Sequence, residues 1–142
     1  MSQPVRLAVV QSNHQGCSQH WALAAIHSDV RVRVFEISAV KGGFRYYCQD
    51  VPRASVSLQH SCVVGDVDLK KLDWVRDALS EVPIPRGHAC NCQSWTWNAV
   101  QELRKAQGRG VGILSLEHRA VAAVVQQGVT IDPYGQVFSS FA

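Results

Sequence analysis

Hydrophobic positions along the chain change their repeat near its middle. Before residue 65 the apolar residues come in short runs or alternate with polar ones, the two-residue repeat of strands. Residues 5–11 form a short β-like run, and residues 20–27 are apolar-rich up to a Ser28-Asp29 turn signal. Residues 30–38 alternate Val30, Val32 and Val34 with Arg31 and Arg33, which predicts a half-exposed strand joined to the preceding run as a hairpin. Gly42-Gly43 breaks the chain, residues 44–48 resume an aromatic strand, and residues 55–64 suggest a further strand ended by Gly65.

Beyond that point the repeat lengthens to that of a helix. Asp66 or Asp68 can cap a helix running to about Glu81, with Leu72, Val75, Leu79 and Val82 on one stripe and Pro83 and Pro85 closing it. A second helix is expected from near Asn91 to about Ala106, stopped by Gly108 and Gly110. A third is expected over residues 116–127, and the tail carries a turn signal at Asp132-Pro133-Tyr134-Gly135 before a short strand. Strands first and helices second predict an α+β fold, with an antiparallel sheet packed against about three helices, rather than alternating α/β. No internal repeat or low-complexity segment divides the chain, so residues 1–142 are expected to form a single domain.

Composition narrows the function classes. With 46% hydrophobic and 18% charged residues, the chain has the balance of a globular core and not of a disordered segment. A net charge of +3 falls short of the clustered basic footprint of nucleic-acid binding, so no nucleic-acid partner is expected. No apolar run approaches the ~20 residues of a membrane span, and residues 7–10 are too short a run for a secretory signal. Five cysteines, an odd number without such a signal, favour reduced thiols over a disulfide framework and predict a cytoplasmic protein. Oligomeric state is not set by any of these features.

The start of the second helix, HACNCQSW at residues 88–95, is the most informative stretch. On a helix Cys92, Trp95, Ala99 and Leu103 share one face, so Cys92 sits in the first turn and points toward the sheet. Unpaired backbone N–H groups and the partial positive charge of a helix start both stabilise a thiolate. Asn91 is a good N-cap residue. Taken alone, Cys92 is also a plausible small core filler. His20, which opens an apolar strand and precedes Trp21, is the second candidate. A nucleophilic cysteine needs a base within hydrogen-bond reach, and imidazole has a suitable pKa. In isolation, His20 would equally be a strand-end surface histidine.

Together, QHWAL at residues 19–23 and NCQSW at residues 91–95 resemble the circularly permuted papain-like thiol enzymes. That group includes the lecithin:retinol acyltransferase-like proteins and the NlpC-type peptidases, and uncharacterised small fungal proteins share a similar layout. The resemblance implies a permuted papain-like core, with Cys92 as nucleophile and His20 as base. The order His before Cys marks the permutation. It also implies a third polar residue on the strand after the base, with Glu36 the first choice and Ser38 the second. A tight turn at Ser28-Asp29 places His20 across from about residue 37, so Glu36 would need a register shift or bulge to share its face. Gln11 is the candidate oxyanion donor, and Trp21, Gln93 and Trp97 are candidate substrate-binding residues.

The implied reaction is cysteine-dependent hydrolysis, of peptidase or amidase type, through a thioester acyl-enzyme on a small-molecule or peptide acyl substrate. Acyl transfer or cyclisation by the same dyad, and a non-catalytic binding module that kept the fold, are the alternatives. No cofactor is implied. Where the acyltransferases read NCEHF, this chain has Gln93 and Ser94 in place of Glu and His, and it lacks their C-terminal membrane helix. Both departures point away from lipid acyl transfer. A zinc set of His88, Cys90 and Cys92 with Cys62 or His60 has a spacing tighter than the usual C-x₂₋₄-C pairs, so no metal is expected. Cys90 is a candidate resolving thiol for Cys92. The Arg31/Arg33 pair reads as a solvated strand face or as a steering charge for an acidic substrate.

Overall fold

Strand-forming residues in the first third of the chain build a meander of four strands, β1 (Pro4–His14), β2 (Cys17–Ile26), β3 (Arg31–Val40) and β4 (Gly43–Pro52). Each pairs antiparallel with the one before it. β5 (Ser61–Asp68) returns to the other side of β1, and the short β6 (Val111–Ile113) pairs with β5. The result is a six-stranded antiparallel sheet in the order β4-β3-β2-β1-β5-β6. Two helices follow β5, α1 (Leu72–Ser80) and α2 (Asn91–Arg104), so the fold is α+β. The computed structural model describes residues 4–14, 17–28, 30–56, 61–85, 91–108 and 111–113. The third helix and the tail strand expected from the sequence lie outside the described residues, as do Cys90, His88 and His60.

The fifth strand begins at Ser61 and not at Ser55, which lies in a 3-10 turn, Arg53–Ser55, and two further boundaries differ from the sequence expectation for a local reason. Gly65 does not end its strand, because β5 runs on to Asp68. The register with β1 shifts between Leu7, opposite Gly65, and Ala8, opposite Val63, so Gly65 flanks a bulge at Val64. Asp66 stays in the strand, and Asp68 does the capping. Its side chain accepts a hydrogen bond from the Lys70 backbone N–H at 3.1 Å and opens a 3-10 turn, Leu69–Lys71, that leads into α1. α2 ends at Arg104, where the chain tightens through bonds from Ala106 N–H to Leu103 C=O and from Gln107 N–H to Arg104 C=O. Gly108, at φ +91°, then takes the left-handed conformation that turns the chain away.

Both faces of the central strands are buried, which is why β1 and β2 read as near-continuous apolar runs. On one face Leu7, Val9, Leu23, Phe35 and Ile37 pack against Leu72, Val75 and Leu79 of α1 and Trp95, Ala99 and Leu103 of α2. On the other, Ala8, Val10, Ala22, Ala24, Val32 and Val34 form a second buried cluster. The helical stripe read from the sequence is the buried one, since Cys92, Trp95, Ala99 and Leu103 are all 2% exposed or less. Tyr46 of β4 fastens the helical layer twice. Its ring lies against Trp95 with centroids 5.5 Å apart, and its hydroxyl donates to the Arg76 carbonyl at 3.0 Å. Among the described residues, no helix is long and apolar enough to cross a membrane.

Arg33 proves to be a strut and not a solvated strand residue. Its guanidinium forks onto both oxygens of Asp50 on β4, at 2.8 and 3.3 Å, and reaches Asp73 of α1 at 3.0 Å. The hydrogen bond from Arg33 holds the Asp50 carboxyl below the usual carboxylate range. The charge is therefore used to tie α1 to the sheet.

Leu103 anchors the last turn of α2 in the core. Truncation by Leu103→Ala should cost about 2–5 kcal/mol, read as a lower urea midpoint with an unchanged slope. A loss below ~1 kcal/mol would show that α2 is not seated on the sheet as described.

Candidate active site

The helix that carries the thiol is held to the strand that carries the imidazole. Thr96, one turn after Cys92 and fully buried, donates its hydroxyl proton to the Trp21 carbonyl at 3.3 Å. A hydroxyl in a helix interior usually bonds back to its own helix. Here it bonds across to β2, next to His20. The sequence reading overlooked Thr96, although its place four residues after Cys92 on the buried stripe was a visible signal.

The ladder between β2 and β3 runs from the pair Ile26 and Val32 to the pair Leu23 and Phe35. His20 and Glu36 lie past its last rung. The paired rungs are offset by one residue from the register assumed in the sequence, which set His20 across from about residue 37. Beyond the end of that ladder the two side chains meet directly, as their distance shows.

These placements bring Cys92, His20 and Glu36 together. His20 Nε2 lies 3.5 Å from Glu36 Oε2, and the imidazole is hydrogen-bonded to Cys92. Glu36 Oε1 accepts a hydrogen bond from the Ser38 hydroxyl at 3.1 Å. Ser38 thus steadies the carboxylate that faces the histidine. Burial of His20, which is 5% exposed, acts to lower its pKa. Hydrogen bonds to Cys92 and Glu36, and the charges of both, overcome that effect and raise the imidazole to about 9. Cys92 is the second residue of α2, in the first turn, whose backbone N–H groups have no intrahelical acceptor. The arrangement favours the protonated, positively charged form of His20.

The other two described free thiols are in different surroundings. Burial pushes Cys62 up to about 11 and also raises Cys48. Trp21, opposite Gln11 on β1, is 2% exposed, and its ring belongs to the core beneath α2. Gln11 is half-buried, and its Oε1 is buried with no hydrogen-bond partner among the described residues. It therefore stands one rung from His20, which pairs with Ser12. Gln93 and Trp97 are half-buried on α2. Among the described residues no cluster of three or more His, Cys, Asp or Glu side chains is arranged to hold a metal ion.

Fold and site define an α+β domain in which a thiol at a helix start meets an imidazole and a carboxylate from the sheet. A family model described as "Family of unknown function (DUF6540)" matches residues 7–108, and the chain belongs to that family. Comparison with curated proteins and with solved structures found no match.

The raised His20 pKa has a measurable consequence. A proton held more tightly in the folded than in the unfolded chain stabilises the fold at low pH. That contribution is complete below about 6.5 and is lost as pH rises through about 9. An NMR titration of the His20 ring should give a midpoint near 9, lowered by about one unit or more in Glu36→Gln and in Cys92→Ala. The loss of stability over that pH window should shrink in Glu36→Gln. A midpoint near 6.5 in the unaltered chain would rule out the described cluster.

Proposed function

We propose that this protein is a cysteine-dependent hydrolase of the peptidase or amidase type, built on a permuted papain-like core. The observation that supports this reading is the buried His20 imidazole, bonded on one side to Cys92 and paired on the other with Glu36. Structural histidines are common, but a histidine held between a helix-start thiol and a carboxylate has the three parts that nucleophilic catalysis needs.

Mechanism follows from the parts. His20 holds the proton removed from Cys92, and Glu36 keeps the ring oriented and stabilises its positive charge. The Cys92 thiolate attacks the carbonyl carbon of an amide or ester, forming a C–S bond while the carbonyl oxygen takes up negative charge. Backbone N–H groups of the first turn of α2, with the Gln11 amide as a further donor, stabilise that oxyanion. As the C–N or C–O bond breaks, His20 gives its proton to the leaving group. A water molecule, deprotonated by His20, then attacks the thioester, releases the acid and restores the thiolate–imidazolium pair.

Cys92 is only 2% exposed, which favours small electrophiles as probes. Iodoacetamide at pH 6.5 should alkylate Cys92 well before Cys48 and Cys62, as read by peptide mass spectrometry. His20→Ala should slow the Cys92 reaction at least about tenfold, in keeping with loss of the thiolate. An activated ester such as p-nitrophenyl acetate should give a burst of product with a thioester at Cys92, absent in Cys92→Ser. Equal alkylation of the three thiols with no acyl adduct would sink the reading.

A further inference from the structure

The ladder between β2 and β3 ends at the pair Leu23 and Phe35, although both strands run on past it, β2 back to Cys17 and β3 forward to Val40. Beyond that rung β2 stays paired to β1, through Trp21 with Gln11 and His20 with Ser12. β3 stays paired to β4, through Glu36 with Tyr47 and Ser38 with Arg45. The sheet thus divides into two ribbons, and His20 and Glu36 come from different ones. A shared ladder does not set the separation of these two side chains, so a third element has to.

α2 joins the two ribbons at successive residues. Trp95 rests against the Tyr46 ring of β4, centroids 5.5 Å apart, and Thr96 donates to the Trp21 carbonyl of β2 at 3.3 Å. The first contact is largely apolar and tolerates sliding. The second does not, because a hydrogen bond weakens steeply with distance and angle and both of its residues are buried. Cys92 lies one turn before Thr96, on the same side of the helix. The two side chains therefore meet successive residues of β2, Cys92 the imidazole of His20 and Thr96 the backbone of Trp21. Packing alone gives no reason for a hydroxyl at this fully buried position, since valine has the same shape and no polar group to bury.

We propose that Thr96 is a positioning residue for the Cys92–His20 pair, its bond to the Trp21 carbonyl fixing the imidazole between the sulfur of α2 and the carboxylate of β3. The inference rests on the thiol-enzyme reading and adds a residue to its machinery. Thr96 has no part in the chemical step and acts through the backbone of β2. Its loss lets helix and strand shift by a few tenths of an ångström, which weakens the bond between sulfur and imidazole.

Two substitutions in the full chain separate the bond from the packing. Thr96→Val keeps the shape and loses the donor, whereas Thr96→Ser keeps the donor and loses a methyl. In Thr96→Val the NMR midpoint of the His20 ring should fall by about half a unit or more, and alkylation of Cys92 by iodoacetamide at pH 6.5 should slow about three- to tenfold. Thr96→Ser should stay within about 0.3 unit and about twofold of the unaltered chain, even where its urea midpoint drops. Leu103→Ala, which loosens α2 from its other end, should lower the urea midpoint and leave the His20 midpoint in place. A His20 midpoint unmoved in Thr96→Val, or moved as far in Thr96→Ser or Leu103→Ala, would overturn the positioning role and leave the thiol reading intact. If Thr96→Val does not fold, Thr96→Ser decides, a preserved midpoint supporting the role and a lowered one overturning it. An unaltered chain in which Cys92 reacts no faster than Cys48 and Cys62 would overturn the thiol reading, and the role of Thr96 with it.

Discussion

The contact between the first turns of α2 and the middle of β2 sets everything chemical in this molecule. Thr96 bonds to the Trp21 carbonyl, and one helical turn earlier Cys92 bonds to His20. A helix start is a fixed source of partial positive charge and free N–H groups. Its effect falls off within a turn, so a slide of one turn along the sheet would leave the sulfur without its histidine. Trp95 and Leu103 supply the apolar burial that keeps the helix down, and the Thr96 bond selects its position along the strand. Burial is non-directional, whereas a hydrogen bond in a dry interior penalises every misaligned register.

The electrostatics of the cluster follow from where its members come from. A lone buried histidine would be neutral at pH 7, because burial disfavours the charged form. Two acidic partners from separate elements reverse that preference, one from a helix start and one from the next strand. Ser38 and the β3–β4 register restrain the carboxylate, so the third member is itself positioned by a fourth. Elsewhere the same residue types do structural work. Arg33, Asp50 and Asp73 join sheet to helix, and Cys62 is a thiol pushed up by burial.

A good part of this was legible along the chain. Two-residue alternation and Gly42-Gly43 marked the strands, and the Leu72, Val75, Leu79 and Cys92, Trp95, Ala99, Leu103 stripes marked the helices with their buried faces. Cys92 and His20 stood out because each was a reactive side chain at the edge of an apolar element. Less legible were the features that depend on pairing. Gly65 looked like a strand end and flanks a bulge, since the extra residue is visible only against Leu7 and Ala8 of β1. Arg33 looked solvated, because its two carboxylate partners lie 17 and 40 residues away.

What the sequence determined by itself was the set of elements and the face each one buries, because periodicity is a local property of the chain. Tertiary structure alone decided which faces meet. Glu36 reaches His20 because two separate strands bring them within 3.5 Å beyond the end of their shared ladder. Thr96 acquired its place the same way, from a helix seating that no stretch of neighbouring residues encodes. Side chains converge when separate elements dock, and docking is settled by the summed packing of the whole core.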